Sequence, residues 1–186
     1  MKRAFDLLLS IILIVLFALP LCALCILVRV TSNGPALYWS DRVGHRNRIF
    51  KMAKLRTMKI NTPAVATHLL VDPNAQLTSI GGFLRKSSLD ELPQLWNILK
   101  GDMSFVGPRP ALFNQGDLIA LRTTYGVDAL YPGLTGWAQL NGRDELTIEE
   151  KVKFDYEYVQ NLSFIFDLKI LWLTAMQVVQ SKGVSH

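Results

Sequence analysis

The chain has 186 residues with 20 Lys and Arg against 15 Asp and Glu, half of its residues are apolar, and its mean hydropathy is +0.24. That length holds one ordinary domain, or a small domain plus an attachment, and excludes two independent cores. A basic balance on so apolar a chain fits a membrane-surface protein with anionic partners better than a freely soluble enzyme.

No charge falls between Leu7 and Val28. As a helix rising about 1.5 Å per residue, this run reaches about 33 Å, enough on length alone to cross a hydrocarbon core of about 30 Å. It is too long for a cleaved secretory signal, and no small-residue cleavage site follows it. Pro20 sits inside the run, where a proline removes a helical hydrogen bond and kinks the helix into pieces too short to cross. Lys2 and Arg3 precede the run, and Arg29, Arg42, Arg46 and Arg48 follow it, so both flanks carry the charge signature of a cytoplasmic side. A bent helix that returns to its own leaflet satisfies both flanks; a straight span satisfies only the more basic one. Cys22 and Cys25 read as small apolar residues of this segment, since a zinc site needs about four ligands and no others lie near. His45, His68 and His186 form no cluster in sequence.

Beyond a turn at Asn33-Gly34-Pro35, short alternating runs at Ala36 to Trp39 and Arg48 to Lys51 predict a hairpin. Residues Asn61 to Gln76, with Pro63 and Pro73, predict an irregular connector. Leu89, Leu92, Leu95, Trp96 and Leu99 share one helical face, and Gly101 stops that helix. "GDMSFVGPRPA" predicts a proline-pinned loop, Leu112 to Thr123 a second helix, and "YPGLTGWAQLNGRDE" another loop. Thr147 to Gln160 opens with a cap and acids, as a helix start does. Leu162 to Gln180 is apolar apart from Asp167 and Lys169, and predicts a helix in the membrane interface or docked on the domain.

"SSLDELPQLWN", Ser87 to Asn97, carries two adjacent carboxylates just ahead of Pro93. Ser88-x-x-Glu91 matches a capping box, and acids in a first helical turn suit the macrodipole. Their company points elsewhere. Arg85 and Lys86 lie just upstream, a basic stretch runs from Lys51 to Arg56, Arg109 is held between Pro108 and Pro110, and Arg143 sits in a glycine-rich turn. Arginine forks suit phosphate oxygens, and two acids facing such cations predict joint binding of Mg²⁺ and a diphosphate. The cations show no aromatic-basic stripe, so a nucleic-acid partner is not expected.

"KRAFDLLLS", "LRTM", "RKSSLDELPQLWNILKGDMSFVGPRP" and "YPGLTGWAQLNGR" resemble, in collinear order, the motifs of bacterial sugar transferases, the small monotopic phosphoglycosyl transferases. The resemblance implies a mainly α fold with a minor β-hairpin. Residues 1–30 would form a re-entrant membrane helix kinked near Pro20, and residues 31–186 a catalytic domain with interfacial amphipathic helices. It places the protein on the cytoplasmic face of the bacterial inner membrane. The implied reaction transfers a sugar 1-phosphate from a UDP-sugar, an N-acetylated amino sugar by analogy, to polyprenyl phosphate with release of UMP.

By the same resemblance Asp90 is the nucleophile that forms an aspartyl-phosphosugar, and Glu91 assists at the metal or as a base. Asp90 and Glu91 would hold Mg²⁺. Arg56, Arg85 and Arg109 would bind phosphate, Arg143 would face the nucleotide-sugar, and Asp155 and Asp167 would also contact substrate. Membrane lipid is an expected partner, and a homo-oligomer is compatible. Direct ternary-complex transfer and a non-catalytic membrane scaffold of the same fold are the competing readings.

Overall fold

The computed structural model describes residues 1–63, 65, 70–142 and 145–179. Among them the fold is mainly helical with two small sheets. The N-terminal run forms α1 (Lys2–Thr31), a single helical element that continues through Pro20 where two pieces were expected. One stripe of α1 packs on the rest of the protein. Leu9, Leu13 and Ile14 join a core with Leu95, Ile98 and Phe105, and Leu21, Leu24 and Val28 join a second with Leu55 and Leu84. The opposite face exposes Leu8, Ile11, Ile12, Val15, Leu16 and Leu19.

Polar stitches fix the start of α1. Lys2 Nζ lies 2.6 Å from Asp167 Oδ2, and Arg3 donates to the carbonyls of Ile98 and Leu99. Buried Asp6 accepts from Ser104 Oγ at 2.8 Å and from the N–H of Phe105. Val28, near the other end, is fully buried. Both ends of α1 therefore rest on the same body.

The hairpin is longer than the alternation predicted: β1 (Leu37–Val43) pairs antiparallel with β2 (Ile49–Leu55) through the register Trp39↔Ala53. Arg46 and Asn47 turn the chain in left-handed conformations. After α2 (Gly81–Lys86) and a 3₁₀ turn (Leu89–Glu91) comes α3 (Gln94–Lys100), which Gly101 ends in a left-handed cap at φ 102°. That stop is the one glycine allows most cheaply. The face of α3 is rotated from the expected one: Trp96 is exposed, while Asn97 and Ile98 are buried.

Buried Asn97 ties α3 to β2. Its Oδ1 accepts from the N–H of Ala53 at 2.9 Å and its Nδ2 donates to the Lys51 carbonyl at 2.8 Å. The side chain thus replaces a neighbouring strand along this edge of β2.

The proline-pinned loop and the loop at "YPGLTGWAQLNGRDE" contain more structure than the sequence predicts. β3 (Ser104–Val106) pairs parallel with β5 (Gly133–Thr135), β4 (Ala111–Leu112) adds to β1, and α5 (Trp137–Leu140) follows β5. Because Ala111–Leu112 is strand, the following helix α4 (Gly116–Thr124) starts later than expected. Gly107, Gly133 and Gly136 pack backbone on backbone, and a Cβ on any of them would collide with main-chain atoms of the facing loop. α6 (Ile148–Gln160) begins with the full capping box of Thr147 and Glu150. α7 (Phe164–Val179) docks against β3, β5 and α5.

Candidate active site

Asp90 and Glu91 lie on the 3₁₀ turn ahead of α3, and Pro93 occupies the position before its first residue. The expected capping box at Ser88 does not form. Ser88 adopts φ 57° and caps nothing with its side chain, while the Glu91 carboxylate points at cations instead. The left-handed turn at Ser88 redirects the chain, which frees Glu91 for this role.

Lys54, carried on β2, sits between the two acids, 2.9 Å from Glu91 Oε1 and 3.6 Å from Asp90 Oδ2. Arg109 Nη2 reaches the same Glu91 oxygen at 3.3 Å. Asp90 is buried, and burial pushes its carboxyl above the ordinary carboxylate range; Lys54 opposes that shift, Glu91 adds to it, and Arg85 and Arg109 oppose it. A poorly hydrated carboxylate held against fixed cations is a better nucleophile than one dispersed in water.

The loop that presents Arg109 is held at three successive carbonyls. Pro108 accepts from the N–H of Gly133 at 2.9 Å, Arg109 from Arg122 Nη1 at 2.8 Å, and Pro110 from Arg42 Nη1 at 3.1 Å. The flanking prolines have no N–H to satisfy, so their main-chain anchoring comes through their carbonyl acceptors. Arg122 is itself fixed by buried Asp155, with Nε and Nη2 at 2.9 and 2.6 Å from Oδ2. Burial pushes the Asp155 carboxyl up, against the pull of Arg122.

These side chains wall a cleft of about 340 Å³ whose lining includes Tyr38, Arg56, Thr57, Arg85, Asp90, Glu91, Arg109 and Gln139. Eight of its lining residues are Lys or Arg and two are acids. Arg85 donates to Thr57 Oγ1 at 3.0 Å, and Arg56 donates to the Pro35 carbonyl with its guanidinium 5.8 Å over the Tyr38 ring. A cleft with this excess suits a multiply charged phosphate ligand.

Of the residues singled out in the sequence, Arg56, Arg85, Asp90, Glu91 and Arg109 converge on this cleft. Arg143 lies outside the described residues. Asp155 and Asp167, which the resemblance implies contact substrate, do not line it: Asp155 holds Arg122. Asp167 accepts from Lys2 and, at 2.5 Å, from Tyr158 Oη, clamping α1, α6 and α7 together. Burial and the Asp167 carboxylate push the Tyr158 phenol above its usual range, so it stays a donor.

Sequence reasoning missed Gln139 and the holding roles of Arg42 and Arg122. Gln139 gives its Nε2 to the Leu134 carbonyl, while its Oε1 is buried with no hydrogen-bond partner. A buried acceptor without a donor is uncommon enough to mark a place where a ligand belongs. Nothing in the spacing of "GWAQL" signals this, because the orientation comes from the α5 turn packed behind Gly136. The described residues hold no group of three or more His, Cys, Asp or Glu placed to bind a metal ion. Asp90 and Glu91 can still serve a cation that takes one or two carboxylates and draws its other oxygens from phosphate and water, as Mg²⁺ does.

A family model described as bacterial sugar transferase matches residues 1–181. An uncharacterized sugar transferase of Bacillus subtilis is 39% identical over all of this chain and 91% of its own length. An undecaprenyl-phosphate galactose phosphotransferase of Salmonella typhimurium is 38% identical over 98% of this chain and 41% of its own length. A UDP-glucose:undecaprenyl-phosphate glucose-1-phosphate transferase of Escherichia coli is 39% identical, again over 98% and 41%. The chain thus spans about two fifths of the latter two relatives.

Proposed function

The chain belongs to the bacterial sugar transferase family, and from this we propose that it transfers a sugar 1-phosphate from a UDP-sugar to polyprenyl phosphate. The observation that carries the reading is the buried Asp90 carboxylate held beside Lys54 on the wall of a cationic cleft. An Asp90 oxygen attacks the β-phosphorus of the UDP-sugar. The bond from that phosphorus to the bridging oxygen breaks, and UMP departs with the electron pair.

Arg85 and Arg109 orient the diphosphate and offset charge on its non-bridging oxygens. Lys54 holds the Asp90 carboxylate in its ionised form. In the second step an oxygen of the polyprenyl phosphate attacks the same phosphorus, and the bond to Asp90 breaks. This restores the carboxylate and leaves a polyprenyl-diphosphate sugar. Glu91 holds Lys54 and Arg109 toward the reacting phosphorus and takes any proton carried by the incoming phosphate. Asp90 and Glu91 are also the residues that would hold Mg²⁺, which when bound supplies further neutralisation of the diphosphate.

The placement of α1 supports a re-entrant or in-plane attachment rather than a span: its two ends and one stripe rest on a single body, and its other face is apolar. With cations on both flanks, this suits the cytoplasmic side of the inner membrane, where UDP-sugars are available.

Incubation with a UDP-sugar alone tests the route. Mass spectrometry should find the intact protein heavier by one sugar phosphate, with UMP released in step. Full turnover with lipid present, but no adduct and no UMP without it, would replace the covalent route by direct ternary transfer.

A further inference from the structure

A second cavity, of about 330 Å³, lies on the other side of Glu91 and Gln139, which line both spaces. It runs between α1 and α7, with Leu13, Phe17, Leu92, Leu171, Ala175 and Val178 in its wall. None of its lining residues is Lys, Arg or His, whereas the cleft holds eight cations. The two spaces therefore differ in chemistry while meeting at one point.

The helices on either side expose apolar residues outward, Leu16 and Leu19 on α1 and Trp172 and Met176 on α7. With α1 attached to the membrane as proposed, a molecule lying in the lipid would reach this cavity along these apolar faces. The geometry points to the cavity as the seat of the isoprenoid end of the acceptor: the branched chain lies between α1 and α7, and its phosphate is presented past Glu91 and Gln139 toward Lys54 and Arg109. This inference rests on the proposed function. A phosphate alone would be drawn to the cationic cleft, and an apolar chain alone would stay in the bilayer. An amphiphile with both parts satisfies both spaces at once.

The volume equals on the order of ten water molecules, so only the isoprene units next to the phosphate enter. The remainder of the chain stays in lipid. The cavity accordingly reads the proximal part of the acceptor and not its length.

Filling the cavity tests this with the full chain reconstituted in nanodiscs. In Ala175→Trp, and to a lesser degree in Ala175→Leu, the KM for polyprenyl phosphate should rise, roughly tenfold in the Trp variant, while the KM for the UDP-sugar stays within about twofold. Folded variants with an unchanged lipid KM would overturn the assignment. A short polyprenyl phosphate carrying a diazirine on its first isoprene unit supplies a second reading, independent of the variants. Photolysis should label peptides that contain Leu13 to Phe17 or Leu171 to Val178, and label placed only elsewhere would overturn the assignment. Crosslinking needs no sugar donor. A wild-type protein that releases no UMP with a panel of UDP-sugars would overturn the proposed function, and the label would still judge the cavity.

Discussion

Asn97 and Ala53 are joined by a hydrogen bond of 2.9 Å, from the strand N–H to the side-chain oxygen, inside the protein. Through it the helix after Asp90 and Glu91 is fixed against the strand that carries Lys54. Asn97→Ala strands the Ala53 N–H and the Lys51 carbonyl, each at a cost of about 1–3 kcal/mol if it stays buried and unpaired. The expected result is a lower denaturation midpoint together with a fall in kcat. Asn97→Asp keeps the acceptor but sets a buried carboxylate against the Lys51 carbonyl and the Asp102 carboxylate, so it should be no more stable than Asn97→Ala.

Replacing Asp90 by Asn should lower kcat by roughly 10³-fold or more, since it removes the proposed nucleophile and keeps the shape. The same change should stabilise the fold at neutral pH. The folded carboxyl is raised above its unfolded value by burial, the largest influence, with Lys54 opposing and Glu91 reinforcing it. In such a case, stability present below the unfolded pKa is lost as pH rises toward and through the folded one. Melting curves of the variant and the wild type should therefore coincide in acid and separate toward neutrality, with the variant higher. A variant less stable at neutral pH would contradict this. Activity of the wild type should likewise fail on acidification at a pH above the ordinary carboxylate range.

The Asp155–Arg122 pair predicts a different outcome for Asp155→Ala. With Asp155 2% and Arg122 9% exposed at the side chain, removal of the acid leaves a buried guanidinium uncompensated, at a cost of about 3–5 kcal/mol. The Arg109 carbonyl loses its ordered donor, so kcat should fall as well. Arg122→Met in the same background should recover much of the stability but not the rate. Thermal melts and initial rates separate the two.

Gly133→Ala places a Cβ into the backbone of Gly107. Overpacking of this kind costs about 1–3 kcal/mol, and here the strain enters the loop that holds Arg109. Activity should drop further than the change in Tm would suggest.

The attachment of α1 can be tested by labelling. In a chain with Cys22→Ala and Cys25→Ala, Ala4→Cys and Ser32→Cys should both react with an impermeant maleimide from the same side of inside-out vesicles. Reaction from opposite sides would establish a span.

The sequence was informative where a short pattern sets local structure. The apolar run, the capped start at Thr147 and the stop at Gly101 each depend on neighbours a few residues away. The cluster of Asp90, Glu91, Arg56, Arg85 and Arg109 was legible through motif order. The partners of Asp155 and Asp167 were not legible, because an acid bound to a buried Arg or Tyr looks, in sequence, like one that faces a ligand. The strands within the two glycine-rich loops went unseen for a related reason: the pairing of β3 with β5 requires Gly107, Gly133 and Gly136 to meet, and only tertiary contact brings them together. Ser88 matched a capping box in spacing, but its left-handed backbone turned the chain away.

The surplus of cations in the cleft also governs encounter, before any bond is made. Eight basic residues against two acids extend a positive field beyond the protein surface, and the nucleotide-sugar proposed as donor would be drawn along it. At physiological ionic strength that reach is about 8 Å. Added salt should therefore slow capture of the soluble substrate while leaving a lipid that arrives within the plane of the membrane far less affected.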